Sequence, residues 1–520
     1  MKRLVTVLLC VALGFFVMGS SSATATMKLV IGQGVEPVAL DPADVTDNPS
    51  EEVCHHIYEG LIGFDENMNI IPKLATDWSV SDDGKTWTFH LKKGVKFHSG
   101  ADFNAKAVKK NFDRILAGGL KRSSLYKPVI GEVKVIDDYT VQFILPESFG
   151  PFLHTLCHTA GIIVDPTLID AKADIRRKPS GTGPFKFKEW AVGDQIKFTA
   201  FDGYHGGRPK LDELLFKVVP EDTARTMMLE TGELDVAERL SPFDIEHLKA
   251  RKDLVVEIAP SLRVIYIGMN CQKGVTKDVL VRRAFNYAVD KKAICDNILK
   301  GMGVPTDTPM SPMTNGYAEV RGYPYDPQKG KELLAEAGWK DTNGDGILEK
   351  NGQKLSVNLM TPHGRYLMDF KVAEAVQAYL KDIGVDAKLV TMEWGTYIAT
   401  LSKPLNENDV DMYLLGWSPS TGDADWALRP LFHSANWAPD DNYSFYKNPK
   451  VDELIEAGMR TVDPQKRKEI YKEAQEIIVE DAPWITLYWM NNVTGYWNYV
   501  KGIKIIPLEM TFAHQAFVER

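Results

Sequence analysis

Residues 410–432 read VDMYLLGWSPSTGDADWALRPLF. The run Val410 to Leu415 is apolar enough for a buried strand, and Ala427 to Phe432 carries the apolar residues of a packed helix. Between them Gly416 to Trp426 crowds hydroxyls, two carboxylates and two indoles into one turn. A strand, a polar turn and a helix in succession is the unit from which α/β chains are built. Asp423 before Ala424 suits an N-cap, and Asp425 in the first turn suits the positive end of the helix dipole. Ser418, Ser420 and Thr421 lie on the turn itself, where a hydroxyl can meet a solute. Trp417 suits either an apolar wall or simple core packing.

The same alternation extends outward in both directions. Asp82-Asp83-Gly84-Lys85 is a turn signal, and Thr86 to Leu91 after it alternates polar and apolar as a half-buried strand does. Asp326 and Pro327 open a helix with an N-cap and a proline in the first turn, and Gly338 closes it. Phe370, Ala373, Val376, Leu380 and Ile383 form the apolar face of another, ended by Gly384. Asp463-Pro464 starts a third, with Ile470, Ala474, Ile477 and Ile478 as its buried stripe. Trp484 to Trp489 and Val500 to Pro507 read as strands. There is no repeat and no low-complexity segment, so interleaved helices and strands point to α/β lobes.

The N-terminus indicates export. Met1-Lys2-Arg3 is a basic start, Leu4 to Met18 is apolar, and Ser20 to Ala25 ends in a small-x-small cleavage pattern. Residues 1–25 are therefore expected to be a signal peptide leading to the periplasm. About 495 residues remain, more than a single core of roughly 250–300 residues supports. Without the leader the chain has 59 bases against 70 acids, a charge of −11. That acidic balance argues against nucleic acid as a partner. Four cysteines survive export, Cys54, Cys157, Cys271 and Cys295; disulfide pairing and buried thiols both remain open.

Several enzymatic and metal motifs fall away. Ser124 and Lys127 satisfy S-x-x-K, the start of a penicillin-binding acyl-transferase, but the companion S-D-N and K-T-G are absent. Asp341 to Glu349 begins like a calcium loop, yet Gly352 stands where the bidentate glutamate belongs, so a turn is favoured. His55 and His56 are adjacent and cannot face one metal from a regular helix. No catalytic residue, cofactor or metal site is expected.

Other segments form a pattern together: Ile71 to Trp78, Trp87 to Leu91, Val95 to His98, Gly181-Thr182-Gly183-Pro184-Phe185, Val281 to Asp290, Tyr325-Asp326-Pro327 and Glu480 to Trp484. Over essentially the whole mature chain they resemble the dipeptide- and oligopeptide-binding proteins of ABC importers, extracellular solute-binding family 5. The resemblance implies a two-lobed periplasmic-binding-protein fold (type II, Venus-flytrap) with an extra subdomain in lobe I. Lobe I would span 27–261 with the insertion at roughly 55–180, lobe II 263–481, and 482–520 would return to lobe I. It also implies a monomeric, non-enzymatic binder that encloses a small-molecule ligand between its lobes and presents it to an inner-membrane ABC permease.

The dipeptide binders of this family place an Asp three residues after the tryptophan of the turn, to hold the ligand's ammonium. This chain has Ser420 there. The wording S-x-S-T-G-x-A-D-W resembles instead the glutathione-binding branch, whose ligand carries its ammonium on a γ-glutamyl arm. Relatives that bind nickel chelates or haem supply the alternative ligand class. Arg365, on a loop before the Phe370 helix, has the planar fork that suits a carboxylate. With it, Trp394, Trp417, Ser418, Ser420, Thr421, Asp423 and, from lobe I, Glu36 are the expected ligand contacts.

Overall fold

Two long antiparallel strands, Leu254–Met269 and Trp484–Trp497, run side by side through the middle of the molecule. The structure, a computed structural model, describes residues 26–519; the expected signal segment lies outside them. Toward one side, Trp484–Trp497 pairs with Val236–Glu238, followed by Lys28–Gln33, Glu213–Val218, Gln195–Ala200 and Phe185–Ala191. Toward the other, Leu254–Met269 pairs with Met412–Trp417, then Ser356–Met360 and Asp386–Val390. The paired ladder breaks between Pro260 and Val264. There Leu262 N–H leaves it to bond Pro507 O at 3.0 Å. Each side of the break has its own core, which gives the two lobes. Leu29, Ile31, Phe198 and Phe216 pack in one; Ile265, Ile267, Leu359, Val376 and Leu414 pack in the other.

The crossing is stiff because Val264 to Met269 is buried on both faces. A continuous apolar run is what a central strand of this kind requires. A third core belongs to the antiparallel sheet Ala75–Val80, Thr86–Leu91, Thr140–Ile144 and Glu132–Asp137, where Phe89, Phe112, Phe143 and Phe152 meet edge to face. This sheet and its helix Ala105–Ala117 form a subdomain beside the first lobe's main sheet.

The local signals act as their chemistry dictates. Asp326 accepts from Lys329 N–H at 2.9 Å and caps Pro327–Glu336, and Gly338 follows it at φ +89. Trp87, Phe89 and Leu91 are the buried alternate residues of their strand. Three expectations are corrected. The buried stripe of helix Pro464–Asp481 is Arg467, Tyr471, Ala474, Gln475 and Ile478, with Ile470 and Ile477 only half-buried. The helix is rotated because Arg467 must reach a buried carboxylate, described below. The strand beginning at Trp484 continues to Trp497, since its partner strand crosses with it. The segment Val500 to Pro507 is divided into Val500–Lys501 and Lys504–Ile506 around Gly502, at φ +73.

Cys54, Cys157, Cys271 and Cys295 are all buried, unpaired thiols. The acidic loop at Asp341 closes on itself. Asp341 accepts from the N–H groups of Gly344 and Gly346, and Glu349 from that of Thr342. It is a turn leading to a two-stranded hairpin.

Candidate functional site

The break in the crossing strands holds Arg263, half-buried, at the junction of the two lobes. Its guanidinium makes a two-pronged bond to Glu509, Nε to Oε1 and Nη2 to Oε2, both at 2.9 Å. Arg239 approaches the same carboxylate at 3.5 Å, and the Asn48 amide at 3.4 Å. Burial pushes the Glu509 pKa up, but Arg263 and Arg239 overcome it and bring it down to about 2. Arg239 and Glu509 both sit in left-handed backbone, at φ 50 and φ 63. Non-glycine residues hold that conformation only where the surroundings impose it, commonly at ligand sites.

Arg365 enters from the second lobe. The buried Asp369 carboxylate accepts from the N–H groups of Gly364 (2.9 Å), Arg365 (2.8 Å) and Tyr366 (3.0 Å), and so fixes the loop. The guanidinium lies 5.1 Å above the Trp394 ring and 5.4 Å from that of Tyr366. Trp394 in turn stacks on Tyr397 at 5.5 Å. Among the described residues Arg365 has no carboxylate within ion-pair distance. It is solvent-exposed, yet burial lowers its pKa, Tyr366 opposes this, and Arg263 and Arg239 lower it further. A cation open to solvent but walled by protein and by other cations is a candidate for binding an anionic group. Three arginines against one glutamate leave this end of the cleft electropositive.

The adjoining end is acidic. Helix Asn48–Ile57 begins at the N-cap Asp47, whose Oδ1 accepts from Ser50 N–H at 3.0 Å. The other oxygen, Oδ2, is buried without a hydrogen-bond partner. One turn on, Glu51 is buried and pairs with Arg122 at 3.0 Å. Burial raises the Glu51 pKa and Arg122 opposes this. In the second lobe the Asp441 pKa is raised by burial and by Asp440, with Tyr443 and Arg122 pulling the other way. Arg122 thus pairs with Glu51, while Asp47 acts electrostatically on Glu51 and Arg122 on Asp441.

Ser420 bridges the lobes at this end. Ala160 N–H donates to His158 Nδ1 at 3.0 Å, which puts the ring proton on Nε2. That Nε2–H donates to Ser420 Oγ at 3.1 Å. Burial first, then Arg122, holds the His158 pKa well below its ordinary value, so the ring is neutral. Ser420 therefore accepts from His158 and keeps its own hydroxyl proton to donate. Thr421 beside it is buried with no partner for its hydroxyl. Gly422, at φ +68, lies against the first lobe: a Cβ there would stand 2.7 Å from Met68 Cε. The lobes also meet where Ser148 Oγ donates to Arg460 O (2.8 Å) and Gly150 N–H to Met459 O (2.7 Å).

Two of the expected contacts are committed elsewhere. Asp423 caps helix Ala424–Phe432 through Asp425 N–H and is fully buried. Arg467 grips it with two bonds, 3.0 and 2.7 Å, and Asn315 Nδ2 donates to it at 2.7 Å. Burial raises its pKa, but Arg467 and then His154 bring it to about 2. Its acceptor capacity is used within the protein. Glu36 accepts from Trp190 Nε1–H at 2.7 Å and Gly193 N–H at 3.0 Å, which ties it to the far-edge hairpin of the first lobe. Trp417 and Ser418 are half-buried at the cleft edge, with Trp417 Nε1–H donating to Trp426 O at 2.9 Å. The sequence reading missed Asp47, Glu51, Arg122, His158, Arg239, Arg263, Asp441 and Glu509. Only Asp47 carried a local signal, a capping residue followed by Asn48-Pro49.

Comparison with known proteins comes to the same architecture. The family model for bacterial extracellular solute-binding proteins, family 5, matches residues 69–439. The chain is 38% identical over 493 residues to the glutathione-binding protein GsiB of Salmonella typhimurium, covering 93% of each. The structure of the oligopeptide-binding protein AppA from Bacillus subtilis, in complex with a nonapeptide, superposes with a TM-score of 0.79 at 31% identity. It covers 95% of this chain and all (100%) of that one. The periplasmic binding protein DppA from Helicobacter pylori, in complex with the peptide STSA, gives 0.78 at 30% identity, over 95% and 98% of the two chains.

Proposed function

The chain belongs to the bacterial extracellular solute-binding proteins of family 5, and on that footing we propose that its cleft captures a short peptide bearing both charges, glutathione first among them. It works in the periplasm, as the binding component of an ABC importer, and hands the ligand to an inner-membrane permease. No covalent step is involved.

The observation that carries this is the division of the cleft into two adjoining charged ends. Arg239, Arg263 and Arg365 around Glu509 suit carboxylates, because a guanidinium fork pairs with them in two-pronged geometry. Asp47, Glu51 and Asp441 around Arg122 suit an ammonium. Asp47 and Asn48 are consecutive, and Asn48 already touches Glu509, so the two ends abut. That spacing fits a ligand of two or three residues better than a long peptide.

Ser420 favours the γ-glutamyl form. An acid there would face an ammonium; a hydroxyl held by neutral His158 with its proton free faces an acceptor instead. The γ-glutamyl head of glutathione carries a carboxylate next to its ammonium, and so offers that acceptor. Ligand bonds made by both lobes favour the closed arrangement, which the permease then recognises.

Native mass spectrometry of the protein as purified from cells tests this. The expected finding is a retained mass of glutathione or a short peptide. A retained haem or metal chelate, with no heat of binding for glutathione or peptides, would refute it.

A further inference from the structure

A second cavity system lies in lobe I and shares no residue with the interlobe cleft. One cavity of about 980 Å³ opens beside the subdomain's four-stranded sheet, and another of about 600 Å³ meets it at Lys73, Tyr204 and Gly206. In a chain of net charge −9, the larger cavity is walled by Lys73, Lys92 and Lys93.

The carboxylates there are engaged. Glu59 accepts from Thr182 (3.0 Å), Tyr204 (3.0 Å) and His205 (2.8 Å). Asp137 accepts from Tyr139 N–H at 2.8 Å. Lys93 rests 5.4 Å over the Tyr139 ring. Among the described residues, the ammonium groups of Lys73 and Lys92 have neither a carboxylate within ion-pair distance nor a hydrogen bond. The smaller cavity differs, because its cations are already satisfied. Lys504 pairs with Glu66 at 2.9 Å, Arg208 with Asp202 and Asp212 at 2.8 and 2.6 Å, and Lys210 sits 3.8 Å over Phe517. The free positive charge is therefore gathered on the Lys73 side.

Lys73 is half-buried at the junction of the two spaces. Enclosing an ammonium without a direct ion-pair partner is costly. Burial lowers its pKa, Glu59 opposes this, and Lys504 and Lys92 lower it further. Separate ammonium groups converging on one open space match a ligand with several acidic oxygens.

We propose that this groove is a second binding site, for a multivalent oxyanion of the phosphate class, held by Lys73 and Lys92 with Lys93 at the rim. Such a group could reach it as a free oxyanion or as the headgroup of an anionic lipid. Calorimetry of the mature protein with inorganic pyrophosphate at low salt reads the first source. Co-sedimentation with phosphatidylglycerol vesicles, against phosphatidylcholine vesicles, reads the second. At least one probe binds, and Lys73→Met and Lys92→Gln each weaken that binding about 10-fold, while glutathione affinity is unchanged. If Lys73→Met does not fold, Lys92→Gln carries the test. Failure of both probes to bind wild type, or full-strength binding by the folded variants, overturns the proposal.

Discussion

Replacing Arg365 with alanine removes a cation that contributes little to the stability of the protein itself. Its guanidinium has no ion-pair partner among the described residues and rests only on the Trp394 and Tyr366 rings, at 5.1 and 5.4 Å. Folding stability should therefore move little, by about 0.5 kcal/mol, the scale of an exposed cation–π contact. Ligand binding should move far more. A carboxylate enclosed by Arg365 is left with Arg263, already bound to Glu509, and Arg239, 3.5 Å from the same group. Losing one partner of an enclosed, charge-assisted pair costs about 2–5 kcal/mol. The two remaining arginines soften this toward the lower half, about 2–3 kcal/mol. At 1.4 kcal/mol per decade that is roughly a 30- to 150-fold rise in Kd for glutathione. Titration calorimetry at pH 7, with the melting temperature recorded on the same samples, reads both quantities. Arg365→Lys should recover part of the loss, since it restores charge without the fork. An affinity within threefold of wild type in Arg365→Ala would refute this role.

Asp423→Asn keeps a cap but leaves Arg467 buried without its counterion, so the melting temperature should fall by several degrees with a cost of about 3–5 kcal/mol. The glutathione affinity of the folded protein should hold, and a selective loss of affinity would return Asp423 to the ligand site. Asp423 and Glu509 both have folded pKa values lowered to about 2, below their unfolded values of about 4. The stability each contributes is present above the unfolded value and is lost as pH falls through the folded one. Chemical denaturation at stepped pH should show stability declining from about pH 5 toward pH 2, with a shallower decline in Asp423→Asn. Ser420→Ala deletes the hydrogen bond from His158 across the cleft, worth about 0.5–1.5 kcal/mol. Glutathione affinity should drop about 2- to 12-fold, mainly through faster release in stopped-flow. A thiol reagent should label none of Cys54, Cys157, Cys271 and Cys295 in the native protein, and all four in denaturant; native labelling would contradict their burial.

The fold was legible because its signals are local. Asp326-Pro327, Asp463-Pro464 and Asp423-Ala424 announce helix starts within two residues, and Trp87-Thr88-Phe89 shows its alternation directly. The stripe of helix Pro464–Asp481 misled because hydrophobicity alone ranks Ile470 and Ile477 above Arg467. Only the carboxylate of Asp423, 44 residues away, explains why the arginine is inside.

The site was legible on one side only. Ser420 and Arg365 stood out through resemblance and through loop position. Their counterparts in the first lobe are ordinary charged residues until the chain brings them together. His158 lies 262 residues from Ser420, and Arg263 lies 246 from Glu509. The bonds that tie up Glu36 are equally hidden, since its partner Trp190 is 154 residues away on an edge strand. Pairings at such separations leave no periodicity or spacing to read.

Stripped of any retained ligand, the mature protein can be titrated in one calorimetric series with glutathione, its N-acetyl derivative and its dimethyl ester. A cleft with one acidic and one basic end binds glutathione with 1:1 stoichiometry and loses about 100-fold or more on capping either kind of charge, since each capped group leaves buried opposite charges unpaired. Equal affinity for the three compounds would contradict the division of the cleft on which the functional reading stands.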